Sequence, residues 1–293
     1  MIRTLLKWTG IILGSLLSLL LVSYLLIANN IGNRTEKTYS FTAETLSVPT
    51  DQATINRGKH LAVIKGCTDC HGSNMAGKVM VDDVPLGRLA ARNLTKGKGG
   101  LSAKYSAADW LVALRHGVDP NTGKPLLFMP SHETTQLAKS DMTALIAYCQ
   151  QLAPVDNELP PVRRGPLLNV MSYLGKMPLF PVEMIDHTKR MVASADTTES
   201  IAQGKYLAVS CSGCHQPNLK GGDPIAPGFP PAPNITSSGD PGKWTLAQFV
   251  HTLRTGKTPE GHQMNSEHMP WKMTAQYTQT ELASLYKYVR SIQ

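Results

Sequence analysis

The chain has 293 residues, of which 42% are hydrophobic and 17% charged, so a disordered protein is excluded and the length favours two domains. The formal net charge of +8 comes from scattered basic residues without an aromatic–basic motif. It argues against nucleic-acid binding and favours acidic protein faces or anionic lipid headgroups as neighbours. Aromatic residues make up only 6%, so two small domains would need something large, such as a planar cofactor, to fill their interiors.

The N-terminal segment is long and apolar enough to cross a membrane. No charged side chain occurs from Trp8 to Asn33, and Arg3 and Lys7 precede this stretch. About twenty apolar residues span the hydrocarbon core, and flanking basic residues stay on the cytoplasmic side. The sequence therefore predicts a single-pass anchor at residues 1–32 in the inner (cytoplasmic) membrane, with the rest of the chain in the periplasm. The alternative is a signal peptide cleaved after Ala28, but the apolar run is long for one.

After a polar tether at residues 33–52, the sequence contains two copies of one domain. Motifs of the first copy return about 140 residues later, which indicates a duplicated domain. The recurring segments are Gly58-Lys59-His60-Leu61-Ala62 with Gly204-Lys205-Tyr206-Leu207-Ala208, Asn93-Leu94-Thr95 with Asn234-Ile235-Thr236, and Met129-Pro130 with Met269-Pro270. We place the first domain at 53–165, a linker at 166–197 and the second domain at 198–293. Prolines around the start of the linker disfavour long helices there.

Each copy has clear signals for helices and few for strands, so we expect an all-α fold. Thr278 opens a capping-box pattern followed by apolar residues at helical spacing, and a matching helix begins near Ser140. Thr245 opens another helix that ends near Gly256, and its counterpart lies at 106–117.

Both copies contain the pattern C-x-x-C-H, as Cys67-Thr68-Asp69-Cys70-His71 and Cys211-Ser212-Gly213-Cys214-His215. This is the pattern of c-type haem attachment. Two thiols on one helical turn reach two vinyl groups along one porphyrin edge, and the next histidine reaches the iron. A lone C-x-x-C is also found in zinc sites and redox dithiols, but neither explains a histidine at the same place in both copies. The sequence thus predicts two covalently bound haem c groups, while Cys149 is expected to be a core residue.

The second axial ligand of each iron is predicted to be a methionine. Met129 and Met269 occupy matching positions, each directly before a proline. A thioether is a soft ligand that suits haem iron, and histidine/methionine coordination raises the reduction potential. His132 and His268 are the nearest competitors, but they do not align between the copies, so bis-histidine coordination is disfavoured.

Two further pairs recur in step and are candidates for contacts with haem propionates. They are Arg115 with Arg254 and Asn93 with Asn234. A buried haem has propionates that need hydrogen-bond donors, and arginine is well suited to carboxylates. The alternative is that these residues cap helices or tie loops together, and the sequence leaves both open.

The order of these motifs resembles the cytochrome c subunits of membrane-bound bacterial dehydrogenases of the alcohol and gluconate type. The resemblance covers roughly residues 55–293 and rests on Gly-Lys-x-Leu-Ala, C-x-x-C-H, Asn-[Leu/Ile]-Thr, Leu-Arg-x-Gly and Met-Pro. It implies two tandem class I cytochrome c-like domains that accept electrons from a periplasmic or membrane-bound dehydrogenase. The acceptor would be a terminal oxidase, a small cytochrome or a quinone. Those subunits typically carry three haem domains, whereas this sequence has two.

Two functions follow from this pattern. The first is an electron-transfer subunit without substrate chemistry, because two six-coordinate irons leave no open position for a substrate. The second is a dihaem enzyme, such as a peroxidase or a thiosulfate-oxidising cytochrome. Its acid–base groups would be His132 and Glu133, which follow Met129 closely, and His268, which precedes Met269. Such an enzyme needs a displaceable ligand, and the Met-Pro element is present in both copies, so the electron carrier is preferred.

Overall fold

The computed structural model describes residues 1–42, 44–225 and 228–293, in which a long helix precedes two small, mostly helical domains. The α-helices are α1 (Ile2–Glu36), α2 (Gln52–Ile64), α3 (Cys67–His71), α4 (Ala107–Leu111), α5 (Ser131–Thr134), α6 (Lys139–Gln150), α7 (Pro166–Tyr173), α8 (Ile201–Leu207), α9 (Val209–His215), α10 (Leu246–Thr255), α11 (Trp271–Thr274) and α12 (Gln279–Ser291). A π-helical turn and two 3-10 turns lie at Val112–His116, Pro181–Met184 and Asp240–Lys243. The strands are β1 (Lys78–Asp83), β2 (Gly87–Ala91) and β3 (Arg163–Arg164).

Each domain is built on a close crossing of its first and last helices. Gly58 of α2 lies against α6, where an added Cβ would overlap the carbonyl of Ala144 and lie 2.8 Å from Cβ of Tyr148. Gly204 of α8 lies on α12 in the same way, and its Cβ would lie 2.6 Å from Cβ of Tyr288. Any larger residue would push the helices apart, because packed interiors have no spare volume. The crossing therefore explains why this glycine occurs in both copies.

The helix boundaries predicted from the sequence are confirmed. The Thr278 hydroxyl accepts a hydrogen bond from the backbone of Glu281, whose carboxylate accepts one from the backbone of Thr278, so a capping box opens α12. Thr245 opens α10 in the same manner. That helix ends at Gly256, whose φ of 74° lies in the left-handed region where glycine is favoured. In the first copy, α4 continues into the π-helical turn and ends at Gly117.

The two domains are packed against one another through a shared apolar core. Leu61 and Ile64 of α2 are completely buried in the same cluster as Leu207 and Leu282 of the second domain. The buried Tyr277 hydroxyl also donates a hydrogen bond of 3.1 Å to the carbonyl oxygen of Ile64. The relative position of the two domains is therefore fixed by core packing and not by the linker alone.

A polar network, here called the Arg57 network, crosses the same interface. The Arg57 guanidinium donates to Asp141 of α6 at 2.9 Å and to Glu281 of the second domain at 3.2 Å. His60 lies 2.8 Å from Glu281, and the Tyr206 hydroxyl donates to Asp141 at 2.9 Å. Burial alone would raise the pKa of Glu281, but hydrogen bonds from His60 and from the backbone at the start of α12, with the charges of His60 and Arg57, lower it to about 2.

A small antiparallel sheet corrects the expectation of an all-α fold. β1 pairs with β2, and β2 pairs with β3. The side chains of β1 are exposed on both faces except that of Val81, so its sequence lacks the alternation that marks a half-buried strand. The turn between β1 and β2 is closed by Asp83, whose carboxylate accepts a hydrogen bond of 2.7 Å from the backbone of Leu86. Such a local turn contact leaves little trace in the sequence.

Helix α1 is long and apolar enough to cross a membrane, and no second such helix occurs among the described residues. Its last turns are packed against the linker segment and the first domain. Ile31 is completely buried, and Arg34 binds the Glu183 carboxylate at 2.6 Å while lying over the ring of Phe180. The segment predicted as a tether begins with helical residues at 33–36. The predicted linker contains α7, which packs against α1.

Candidate haem sites

The two C-x-x-C-H motifs form short helices that hold their histidines in the same way. In α3, His71 places Nδ1 2.8 Å from the carbonyl oxygen of Arg92, and in α9, His215 places Nδ1 2.8 Å from that of Pro233. A carbonyl can only accept, so Nδ1 carries the proton in each ring. Nε2 of each ring makes no hydrogen bond within the part of the chain that the structure describes. This is the usual arrangement of a histidine that binds a metal through its other nitrogen.

The loops after the two motifs share one backbone path. Gly77 and Gly221 each donate a hydrogen bond to the carbonyl of their motif histidine, at 2.7 and 2.9 Å. Met75 and Leu219 both adopt a positive φ, of 60° and 58°, which is unusual for residues other than glycine. The duplicated sequence therefore folds into duplicated sites, including a conformation that neither residue type would adopt by preference.

The chemistry of the donor atoms fits a covalently attached haem. None of the four motif cysteines forms a disulfide within the part of the chain that the structure describes. Burial raises the pKa of Cys67 to about 12 and that of Cys211 to about 11, so these thiols are neutral near pH 7. Burial also lowers the pKa of His71 and His215, although their hydrogen bonds to carbonyl oxygens act in the opposite direction. A neutral imidazole is the form that binds iron.

The predicted methionine ligands stand at equivalent turns. Met129 and Met269 are both partly buried, and the residue two positions after each donates a backbone hydrogen bond to its carbonyl, at 2.6 and 2.7 Å. Met129 packs against the same cluster as Cys67 of the first motif. The nearest histidine in the first domain, His132, is only partly exposed, and its Nδ1 is buried without a hydrogen-bond partner in the part of the chain that the structure describes. In the second domain, His268 lies beside Phe229.

The arginine and asparagine pairs make protein contacts that differ between the copies. Arg115 is buried and donates to Glu44 at 2.6 Å and to the backbone of Lys189 at 2.6 Å. Arg254 is exposed and donates to the backbone of Ala275 at 3.0 Å. These contacts agree with the alternative in which the arginines tie loops together. A contact of either arginine with a haem propionate stays a prediction.

Both asparagines fold their side chains back onto the loop that follows. The amide oxygen of Asn93 accepts from the backbone of Thr95 at 2.9 Å, and its nitrogen donates to the carbonyl of Val155 at 2.9 Å. The amide oxygen of Asn234 accepts from the backbone of Thr236 at 2.8 Å. Each asparagine therefore holds the backbone of the loop that follows it. A contact with the haem propionates stays a prediction for both.

Each domain reaches the attachment helix of the other across the domain interface, which the sequence did not indicate. Glu133, four residues after Met129, lies beside the second motif, where a Cβ on Gly213 would be 2.9 Å from its carboxylate. Met273, at the equivalent place in the second copy, lies beside the first motif, with its sulfur 3.7 Å from a Cβ on Gly66. Each domain therefore places the side chain four residues after its Met-Pro methionine beside the attachment helix of the other domain.

Charged groups at this junction are strongly perturbed by burial. Burial raises the pKa of Glu133 to about 7, against the opposing effect of the positive charge of Lys65. Burial also lowers the pKa of Lys65, which lies two residues before Cys67 of the first motif. The members of the Arg57 network lie on the adjoining helices. The one sequence signal for this network is His60, which stands in the repeated motif where the second copy has Tyr206.

Comparison with known proteins places these domains in a family. The profile of the cytochrome c family matches residues 55–153 and 201–293, which are the segments that contain the two motifs. The chain belongs to the cytochrome c family. Members of this family bind haem c covalently, and the residues described above fit that group.

Several curated relatives are cytochrome subunits of dehydrogenases. The chain is 25% identical over 261 residues to the fructose dehydrogenase cytochrome subunit of Gluconobacter japonicus, covering 81% of this chain and 52% of that protein. It is 23% identical over 295 residues to the cytochrome c subunit of the quinone alcohol dehydrogenase of Gluconacetobacter polyoxogenes, covering 89% and 62%. It is 29% identical over 180 residues to the gluconate 2-dehydrogenase cytochrome c subunit of Pantoea cypripedii, covering 57% and 39%. The chain thus spans about half the length of these relatives.

Proposed function

We propose that this chain is a membrane-anchored dihaem cytochrome c that transfers electrons in the periplasm from a dehydrogenase to a terminal oxidase, a small cytochrome or a quinone. The observation that carries this proposal is the pair of equivalent sites. Each has two cysteines and an imidazole whose Nδ1 donates to a backbone carbonyl, while Nε2 makes no hydrogen bond to any described residue. A haem c bound at each site supplies one-electron chemistry between ferric and ferrous iron.

The residues of each site have distinct roles in this proposal. Cys67 with Cys70, and Cys211 with Cys214, attach the porphyrin through thioether bonds. His71 and His215 bind iron through Nε2, and the hydrogen bond from Nδ1 keeps each ring in the required tautomer and orientation. Met129 and Met269 complete the coordination, which closes the irons to small substrates and favours a carrier over an enzyme.

The position of the two sites supports transfer within the chain. Glu133 of the first domain lies beside α9, and Met273 of the second domain lies beside α3. Core packing and the Arg57 network hold the two domains in this arrangement. An electron can therefore enter at one site and leave from the other without any movement of the domains.

The charges that precede the apolar stretch of α1 support a periplasmic position for both domains. Arg3 and Lys7 precede the apolar stretch of α1, so the positive-inside rule leaves the N-terminus in the cytoplasm and both domains in the periplasm. The relatives are subunits of fructose, alcohol and gluconate dehydrogenases. We therefore propose a sugar, alcohol or sugar-acid dehydrogenase in the same membrane as the electron donor.

The proposal is tested on the full chain extracted from its native membranes in a mild detergent with its bound partners. Fructose, ethanol and gluconate are added in turn, and reduction of the haems is followed in the visible spectrum. We expect one substrate to reduce the haems, with no turnover of peroxide or thiosulfate. Peroxide or thiosulfate turnover by the purified chain, together with a high-spin haem fraction, would contradict the carrier and support the dihaem enzyme.

A further inference from the structure

Helix α1 stands clear of the rest of the protein over the stretch that would cross the hydrocarbon. Its large apolar side chains are exposed up to Leu26, whereas Ile27 is partly buried and Ile31 completely buried. From Trp8 to Ile27 the helix is roughly 30 Å long, which is about the thickness of the hydrocarbon core. Protein therefore begins to cover α1 where the membrane would end on its outer side.

The element that covers α1 at this level is α7, in the segment between the two domains. Arg164, just before α7, donates a hydrogen bond of 3.0 Å to the carbonyl oxygen of Ile31. Leu168 of α7 is completely buried in the same cluster as Ile31. Met171, one turn further along α7, packs on that cluster together with Ile27. Helix α7 thus runs beside α1 from the domain towards the hydrocarbon.

Helix α7 buries two polar side chains and exposes three large apolar or aromatic ones. Asn169 and Ser172 point inwards and are buried, and Asn169 Oδ1 and Ser172 Oγ have no hydrogen-bond partner among the described residues. Leu167, Tyr173 and Leu174 point outwards, with Leu174 62% exposed. A helix at an aqueous surface would bury its apolar residues and expose its polar ones. The outer face of α7 therefore suits an apolar environment.

The charge of this segment suits the surface of an anionic membrane. From Leu159 to Val182 the sequence contains no acidic residue, while Arg163 and Lys176 are exposed. The closest acidic partner of Lys176 is Asp223, at 3.7 Å in a solvent-exposed pair. Basic side chains near a bilayer are attracted to anionic headgroups, and tyrosine is enriched at the same depth.

We propose that α7 and the turn up to Lys176 lie in the headgroup layer of the outer leaflet and form a second membrane contact beside the anchor. Tyr173 and Leu174 reach into the boundary with the acyl chains, and Lys176 binds lipid phosphates. This contact fixes how the first domain faces the membrane and rests on the proposed function only in that α1 spans the bilayer.

The test uses the haem-loaded full chain, in which the motif cysteines are consumed by thioether bonds. Cys149→Val removes the remaining thiol and copies Val289, its equivalent in the second domain. Single cysteines are then introduced as Leu174→Cys, Leu16→Cys and Ile201→Cys, and each is labelled with a nitroxide. Ile201, 51% exposed in the second domain, is the matched control. The protein is reconstituted into vesicles of phosphatidylcholine with a minority of phosphatidylglycerol.

The measured quantity is the ratio of the label's accessibility to oxygen, which partitions into lipid, and to a water-soluble nickel chelate. We expect this ratio to be several-fold higher at 174 than at 201, and highest at 16. A water-accessible label at 174 with a lipid-exposed label at 16 would overturn the α7 contact and leave the anchor in place. A water-accessible label at 16 would overturn the anchor and the α7 contact together. A label at 174 shielded from both reagents would show protein cover and also overturn the lipid contact.

Discussion

Replacing Glu281 with glutamine removes the charge that joins the two domains while keeping the shape of the side chain. Glu281 is 4% exposed, and its pKa is lowered from 4.5 to about 2 by His60, Arg57 and the start of α12. A difference of this size corresponds to about 3 kcal/mol of native-state stabilisation near pH 7. Because Arg57 and His60 are each about one quarter exposed, water screens part of this stabilisation. We therefore expect Glu281→Gln to lower the free energy of unfolding by about 2 to 3 kcal/mol.

The sign of the pH dependence follows from the lowered pKa. The stabilisation is present in full above the unfolded-state pKa of 4.5 and is lost as the pH falls towards 2, because the unfolded chain takes up the proton first. Urea and thermal unfolding of the wild type and of Glu281→Gln in detergent, followed by the visible spectrum, measure the difference. At pH 7 we expect a fall in melting temperature of about 5 to 10 °C, and by pH 3 less than half of the free-energy difference should remain.

A matched control is Glu199→Gln, since Glu199 also carries an ion pair, with Lys287 at 2.9 Å, but is half exposed. An exposed pair contributes about 0 to 1 kcal/mol, so this variant should unfold close to the wild type. Equal midpoints for wild type and Glu281→Gln at pH 7 would refute the reasoning. So would a difference that is as large at pH 3 as at pH 7.

Two further variants test the fold and the coordination. Gly204→Ala should destabilise the second domain by about 3 kcal/mol, because its Cβ would overlap α12. Gly32→Ala, where no atom lies within 4 Å of the added Cβ, should leave the urea midpoint unchanged. Met269→Leu should abolish the methionine-to-iron charge-transfer band of one of the two ferric haems and lower its reduction potential, whereas Met264→Leu should change neither. Unchanged band intensity and potential in Met269→Leu would remove Met269 as a ligand.

Much of the fold could be predicted because it is encoded by local patterns that occur twice. The capping boxes at Thr245 and Thr278 fix where α10 and α12 begin, and the C-x-x-C-H motifs identify the attachment helices. The repeat in the sequence includes the paired glycines at 58 and 204. Only the structure shows why glycine is needed there, because each lies in contact with the last helix of its domain.

The features that could not be predicted depend on contacts between distant segments. The sheet is held by an exposed strand and a turn, and α7 has a polarity that is meaningful only beside α1. The approach of Glu133 to the second motif depends on how the two domains pack, and no pattern in either copy specifies that packing. Duplication predicts equal domains; it does not predict the interface between them.

The central claim is that each chain binds two haem c groups covalently, one at each C-x-x-C-H motif. The most direct test is the intact mass of the denatured protein, with and without the paired substitutions Cys211→Ser and Cys214→Ser. We expect the wild type to carry the mass of two haems and the double variant that of one. A wild-type mass with one haem or none, or a double variant that still carries two, would contradict the claim.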